Sequence, residues 1–131
     1  WKDNKGEFWR GSGKEGKGSG LGALGAGIYF TWDEGMAKAF AKKFGGKVSK
    51  WKIKKGLKIM DAGGDYGAGD KEWVEIKKKM GFKNPKDWSN DKAYAKTLTH
   101  ELKRAGYDGA LSDNKATGIV IFDKKNVKEI K

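Results

Sequence analysis

The chain has no cysteine, one histidine, one proline and two arginines in 131 residues. Without thiols it has no disulfide, no thiolate nucleophile and no cysteine-held zinc, and it suits a reducing compartment. With His100 as the only imidazole, Ser-His-Asp and Cys-His catalysis lack their partners. His100 sits mid-helix with acids nearby, as a surface residue does, so no metal is expected. No stretch approaches the roughly 18 consecutive apolar residues of a membrane span, and no signal-peptide pattern opens the chain, so a soluble protein without membrane partners is expected. The first residue is Trp1 and not Met, from which an upstream segment is expected.

Hydrophobic residues make up 37% of the chain, a low share, but 12% of all residues are aromatic and supply the apolar area of a packed core. The length fits one domain over residues 1–131. A formal charge of +12, with a pI near 9.7, raises nucleic acid or another polyanion as a partner. Lysines spread along the whole chain equally describe a solvated surface. Arginine occurs only at Arg10 and Arg104, and in so lysine-rich a chain Arg10 suggests a need for the planar, multi-donor guanidinium.

Local patterns predict an α+β chain with many short strands, few helices and no βαβ alternation. Glu7 to Arg10 reads as a strand stopped by Gly11-Ser12-Gly13. The segment from Gly13 to Gly27, with seven glycines, enters and leaves strands, so it reads as a loop inside the domain that brings backbone N–H groups near a ligand. Thr31-Trp32-Asp33-Glu34 has the spacing of a capping box, which predicts a helix with Ala37, Phe40, Ala41 and Phe44 on related turns and Gly45-Gly46 as its stop. Strands are predicted from Lys47 to Ile53 and from Leu57 to Asp61. A helix capped by Asp70 carries Trp73, Val74, Ile76, Lys77 and Met80, and another runs from about Asn90 to Ala105. Gly109 to Leu111, Gly118 to Asp123 and Val127 to Ile130 complete the strands.

The glycine-rich loop lacks the Gly-Lys-Ser/Thr ending of a P-loop and the βαβ setting of a Rossmann turn, which removes the commonest nucleotide folds. What remains is an ordered set of blocks. Phe8-Trp9-Arg10-Gly11-Ser12, Leu24-Gly25-Ala26-Gly27-Ile28-Tyr29-Phe30 with its alanine-rich helix, Ala105-Gly106-Tyr107-Asp108-Gly109, and Gly118 to Asp123 together resemble the ADP-ribosyltransferases. The likeness is to the diphtheria-toxin and poly(ADP-ribose) polymerase side and to related domains of phage polyvalent and bacterial toxin proteins. It runs from about Phe8 to Ile130 and is thinnest between Ala62 and Leu102.

That resemblance implies a split, bent β-sheet core with about three peripheral helices, and NAD⁺ as co-substrate. It implies that Tyr29 and Phe40 clamp the nicotinamide ring and that the backbone of Gly11 holds the carboxamide. Arg10 would contact the adenosine ribose and phosphate, and Ser12 would add a ribose or phosphate contact. Apart from the resemblance, Tyr29 and Phe40 read more readily as two ordinary core aromatics. The implied reaction is transfer of ADP-ribose to a macromolecular acceptor, nucleic acid or protein, with release of nicotinamide. A toxin or phage-delivered role in a target cell's cytoplasm, and an immunity protein or antitoxin, are further implications of the same likeness.

Two positions depart from the family pattern. Ala37 stands where a small hydroxyl residue steadies the carboxamide, and Gly118 stands where the catalytic Glu opens the closing strand, four residues before Phe122. Loss of that carboxylate removes a charge-stabilising interaction worth several kcal/mol of barrier, on the order of a typical preorganised site. Three explanations stay open: Asp113, Asp108 or Glu101 reaches the site; the acceptor or a partner supplies the charge; or the domain binds NAD⁺ or an ADP-ribosyl group without transferring it. The alternatives to a transferase are therefore a catalytically degenerate NAD⁺-binding module and a basic nucleic-acid-binding domain whose aromatics stack bases.

Overall fold

The computed structural model describes residues 7–11, 21–64, 69–89, 91–114 and 117–130. In chain order the elements are β1 (Glu7–Gly11), β2 (Leu21–Gly22), β3 (Gly25–Ala26), β4 (Ile28–Phe30), α1 (Glu34–Phe44), β5 (Val48–Ile53), β6 (Ile59–Asp61), α2 (Lys71–Lys79), α3 (Lys92–Arg104), β7 (Gly109–Leu111), β8 (Ile119–Ile121) and β9 (Val127–Ile130), with a 3-10 turn at Lys124–Asn126. The fold is α+β, as the local patterns predict.

Three-stranded β1-β5-β9 and four-stranded β4-β8-β7-β6 are the main sheets, beside the small β2-β3 hairpin. The pairings are antiparallel except β6 with β7, where Ile59 faces Gly109 and Asp61 faces Leu111 in parallel. That pair is a single crossover within an α+β fold and not an alternation of strands and helices. Both α2 and α3 lie between β6 and β7 in the chain, and they return the strand to the sheet in parallel by packing on its face.

Residues alternate across the four-stranded sheet because successive strand side chains point to opposite faces. Met60, Ala110 and Val120 face a core with Trp73 and Ile76 of α2 and Tyr94, Ala95, Leu98 and Leu102 of α3. Phe30, Leu111, Ile119 and Ile121 face a second core with Phe8 and Ile53, strengthened by Trp51 and Val127. The result is a sheet buried on both faces, which is why the run Ile119-Val120-Ile121 is apolar without alternation. Ile119 and Ile121 are fully buried, and truncating either to alanine should cost about 2–5 kcal/mol.

Helix α1 shows where local pattern and structure part. Asp33 is its N-cap, and its carboxylate accepts from the Met36 N–H at 3.1 Å. Thr31, the predicted cap, is two residues early because its backbone is already committed. Its N–H donates to the Trp9 carbonyl and its own carbonyl accepts from the Trp9 N–H, both at 2.9 Å. The Thr31 hydroxyl instead accepts from the Asp33 N–H at 3.0 Å. At the other end Gly45 takes the left-handed conformation, φ 69°, and closes the helix as the sequence predicts. Asp70 and Asp91 precede α2 and α3; the Asp91 carboxylate accepts from Ala93, whereas Asp70 makes no side-chain cap.

Candidate functional site

The backbone bridge between Trp9 and Thr31 joins β1 of one main sheet to the end of β4 in the other. It sets the carboxyl end of β1 beside β4, so that Arg10 Nη1 donates to the Tyr29 carbonyl at 3.4 Å. Arg10 is half-buried, and desolvation draws its pKa below the ordinary value. Ser49 Oγ donates to the Arg10 carbonyl at 3.3 Å and accepts from Trp51 Nε1 at 2.8 Å, which fixes the strand beneath the guanidinium.

Gly11 is tight against α1. A β-carbon there would stand 2.3 Å from the Ala37 carbonyl oxygen and 3.2 Å from the Ala41 nitrogen. The missing side chain at position 11 thus admits the helix. Ala37 and Ala41 are buried at this contact, so Ala37 serves packing at the position where the resemblance expects a hydroxyl.

The two proposed clamp rings have different surroundings. Tyr29 packs against the core beneath α2 and α3. Its hydroxyl donates to the Gly25 carbonyl at 2.7 Å and accepts from the Leu24 N–H at 3.1 Å, which ties β4 to the turn before it. Burial, with a smaller contribution from neighbouring Tyr94, pushes the Tyr29 phenol well above its usual value against the opposing Leu24 N–H, so it is a hydrogen-bonding group and not a base. Phe40 lies on α1, 43% exposed, with its ring 4.6 Å from that of Phe44. The structure brings Arg10, Gly11, Tyr29 and α1 to one junction, and it gives Phe40 and Tyr29 separate partners. Ser12 falls outside the described residues.

No family model matches the chain, and no curated protein or solved structure does either.

Gly118 precedes β8 in a tight connection. Its N–H donates to the Asn114 carbonyl and its carbonyl accepts from the Ser112 N–H, both at 2.9 Å. With φ 74°, it occupies a region that L side chains rarely adopt, and a β-carbon would stand 2.1 Å from the Phe30 carbonyl oxygen. The three acids that could stand in for a carboxylate here each have other contacts. Asp108 accepts from the Lys58 N–H at 2.9 Å, and Glu101 pairs with Lys79 at 3.2 Å. Asp113 lies in the β7–β8 connection, its N–H donating to the Gly63 carbonyl at 2.8 Å and its carboxylate beside Gly64.

Lys38, Lys42 and Lys43 lie on α1 and Lys50 on β5, with Lys38 paired to Glu34 and Lys50 to Glu7 at 3.1 Å each. Among the described residues no group of three or more His, Asp or Glu side chains is arranged to hold a metal ion, and no helix is long and apolar enough to cross a membrane.

Thr99 escaped the sequence analysis. Its hydroxyl accepts from the Ala26 N–H at 2.7 Å and donates to the Ala26 carbonyl at 3.2 Å, so α3 holds the hairpin that receives Tyr29. The partners are 73 residues apart, and no local pattern announces such a pair.

Proposed function

We propose that this chain is an NAD⁺-binding domain of the ADP-ribosyltransferase type, with the dinucleotide at the junction of β1, β4 and α1. The observation that carries this reading is the meeting of Arg10-Gly11 with Tyr29 through the Trp9–Thr31 bridge, under a helix that offers the exposed ring of Phe40. The adjacency of the first two blocks supports this reading. Arg10 supplies planar donors for the phosphate or adenosine ribose, the lysines of α1 add positive charge, and Phe40 supplies a face for the nicotinamide ring.

The geometry supports binding more directly than transfer. Gly118 has no room for a carboxylate, so an oxocarbenium-like ribose would have to be stabilised from another position. Transfer of ADP-ribose to a nucleic acid or protein acceptor is the second reading, favoured by Asp113 on the connection that leads into Gly118. In that reaction the C–N bond between nicotinamide and ribose breaks, nicotinamide departs with the bonding pair, and an acceptor nucleophile bonds the ribose carbon.

Thermal protection by NAD⁺, followed by incubation with labelled NAD⁺ and RNA, DNA or protein extract, tests both. The expected result is a raised melting temperature that Arg10→Ala removes. Unchanged binding by Arg10→Ala sinks the pocket assignment. Nicotinamide release with a labelled acceptor, lost in Asp113→Asn, establishes the transferase reading. Salt-sensitive nucleic-acid binding indifferent to NAD⁺ and to Arg10→Ala marks a nucleic-acid-binding domain instead.

A further inference from the structure

A cleft of about 190 Å³ opens at the carboxyl ends of the parallel strands β6 and β7, beneath α2. Leu24, Ala62 and Trp73 form its apolar wall, Ser112, Asn114 and Thr117 its polar wall, and Trp88 stands on the rim with its side chain 49% exposed. The volume corresponds to about six waters at roughly 30 Å³ each, enough for one small ring with a substituent.

Two groups at the base of this cleft have unused hydrogen-bond donors. Trp73 is 3% exposed, and its indole N–H has no hydrogen-bond partner among the described residues. Buried polar groups nearly always have partners, so an orphaned donor bordering a cavity needs an explanation. Lys77, 1% exposed, lies one helical turn later on the same face of α2. Its ammonium donates to the Asp87 carbonyl and to the Tyr94 hydroxyl, which leaves one of its three N–H donors. The rings of Phe82, Tyr94 and Trp73 surround it at 4.3, 4.4 and 5.4 Å. No carboxylate forms an ion pair with it among the described residues. A buried cation that no described carboxylate contacts directly, with Asp87 acting on it only through its charge, beside an orphaned N–H, is complementary to an oxygen anion.

We propose that this cleft binds a small organic oxyanion with a flat apolar body, its oxygens held by Trp73 Nε1 and Lys77 Nζ and its ring lodged between Leu24 and Trp88. A carboxylate and a phosphate share this chemistry. The site is separate from the NAD⁺ junction and does not depend on it.

The test is a ¹H–¹⁵N titration that follows the Trp73 indole signal, identified by its loss in Trp73→Phe, with benzoate, phenyl phosphate and neutral benzyl alcohol. Benzoate or phenyl phosphate is expected to move that signal downfield to saturation, and the stronger of the two identifies the anionic group. Lys77→Met is expected to weaken binding about tenfold or more, and Arg10→Ala to leave it unchanged. An indole signal unmoved by either anion at roughly 10 mM overturns the proposal, as does a Lys77→Met protein that binds like wild type. If Lys77→Met does not fold, the wild-type comparison decides: a benzoate affinity equal to that of benzyl alcohol overturns the proposal.

Discussion

The carbonyl oxygen of Phe30 lies 2.1 Å from the point where a β-carbon on residue 118 would stand, so β4 closes Gly118 to any side chain. Introducing by Gly118→Glu the glutamate that the ADP-ribosyltransferase resemblance expects should therefore not create a transferase. The positive φ alone should cost about 1–3 kcal/mol, and the backbone collision adds to it. Urea unfolding together with a nicotinamide-release assay checks this, and wild-type stability in the variant would refute the geometry.

Phe40→Ala separates a ligand-facing ring from a core ring. At 43% exposure Phe40 contributes little to folding, so stability should change by no more than about 0.5 kcal/mol while NAD⁺ affinity falls. Calorimetric titration beside thermal unfolding reads both quantities; a large stability loss with unaltered affinity would return Phe40 to the core.

For Tyr29 the expectation is reversed. Tyr29→Phe keeps the ring but leaves the Gly25 carbonyl and the Leu24 N–H without their hydroxyl partner, at a cost of about 1–3 kcal/mol. Denaturant midpoints measure the loss. A midpoint equal to wild type would mean that solvent satisfies both groups.

Asp33→Ala tests the start of α1. Loss of the carboxylate that caps the Met36 N–H should cost about 1 kcal/mol, read as a lower urea midpoint. No change in midpoint would move the cap back to Thr31.

Stability should have a maximum near pH 10, where the Lys77 and tyrosine contributions cross. Burial lowers the Lys77 pKa from 10.5 to about 8, opposed by the more distant Asp87 charge. Between these two values the unfolded chain binds more protons, so stability rises as pH increases from about 8 toward 10. Tyr29 and Tyr94 act oppositely. Burial raises both phenols above their ordinary value of 10, so beyond that pH only the unfolded chain ionises them and stability falls. Urea midpoints measured from pH 7 to 11 should trace this curve, and Lys77→Met should abolish its rising limb. A rising limb that survives in Lys77→Met would assign it to another group.

Much of the architecture was legible because local and tertiary demands agree. Ile119 to Ile121 is apolar throughout because both faces of its sheet are covered, and Gly45 marks the end of α1 through its own left-handed backbone. Thr31 misled because its cap-like spacing competes with a pairing to Trp9, 22 residues away, that no window over the helix contains. The parallel β6–β7 pair was hidden for the same reason. At the candidate site, Arg10 and Tyr29 were visible as residue types, but the closed position at Gly118 depends on the carbonyl of another strand. Lys77 was visible as a member of the α2 helix but its burial was not, since its cage draws Trp73, Phe82 and Tyr94 from three different segments.

The placement of β5 also governs when the chain can fold. Its two neighbours, β1 and β9, lie at opposite ends of the described chain, and the core between the sheets draws Ile119, Ile121 and Val127 from the last stretch. During synthesis at about 5–20 residues per second, neither that sheet nor that core can be completed until β9 has left the ribosome. Helices α1, α2 and α3 can form earlier from local contacts, but the layers assemble only once β9 has been made.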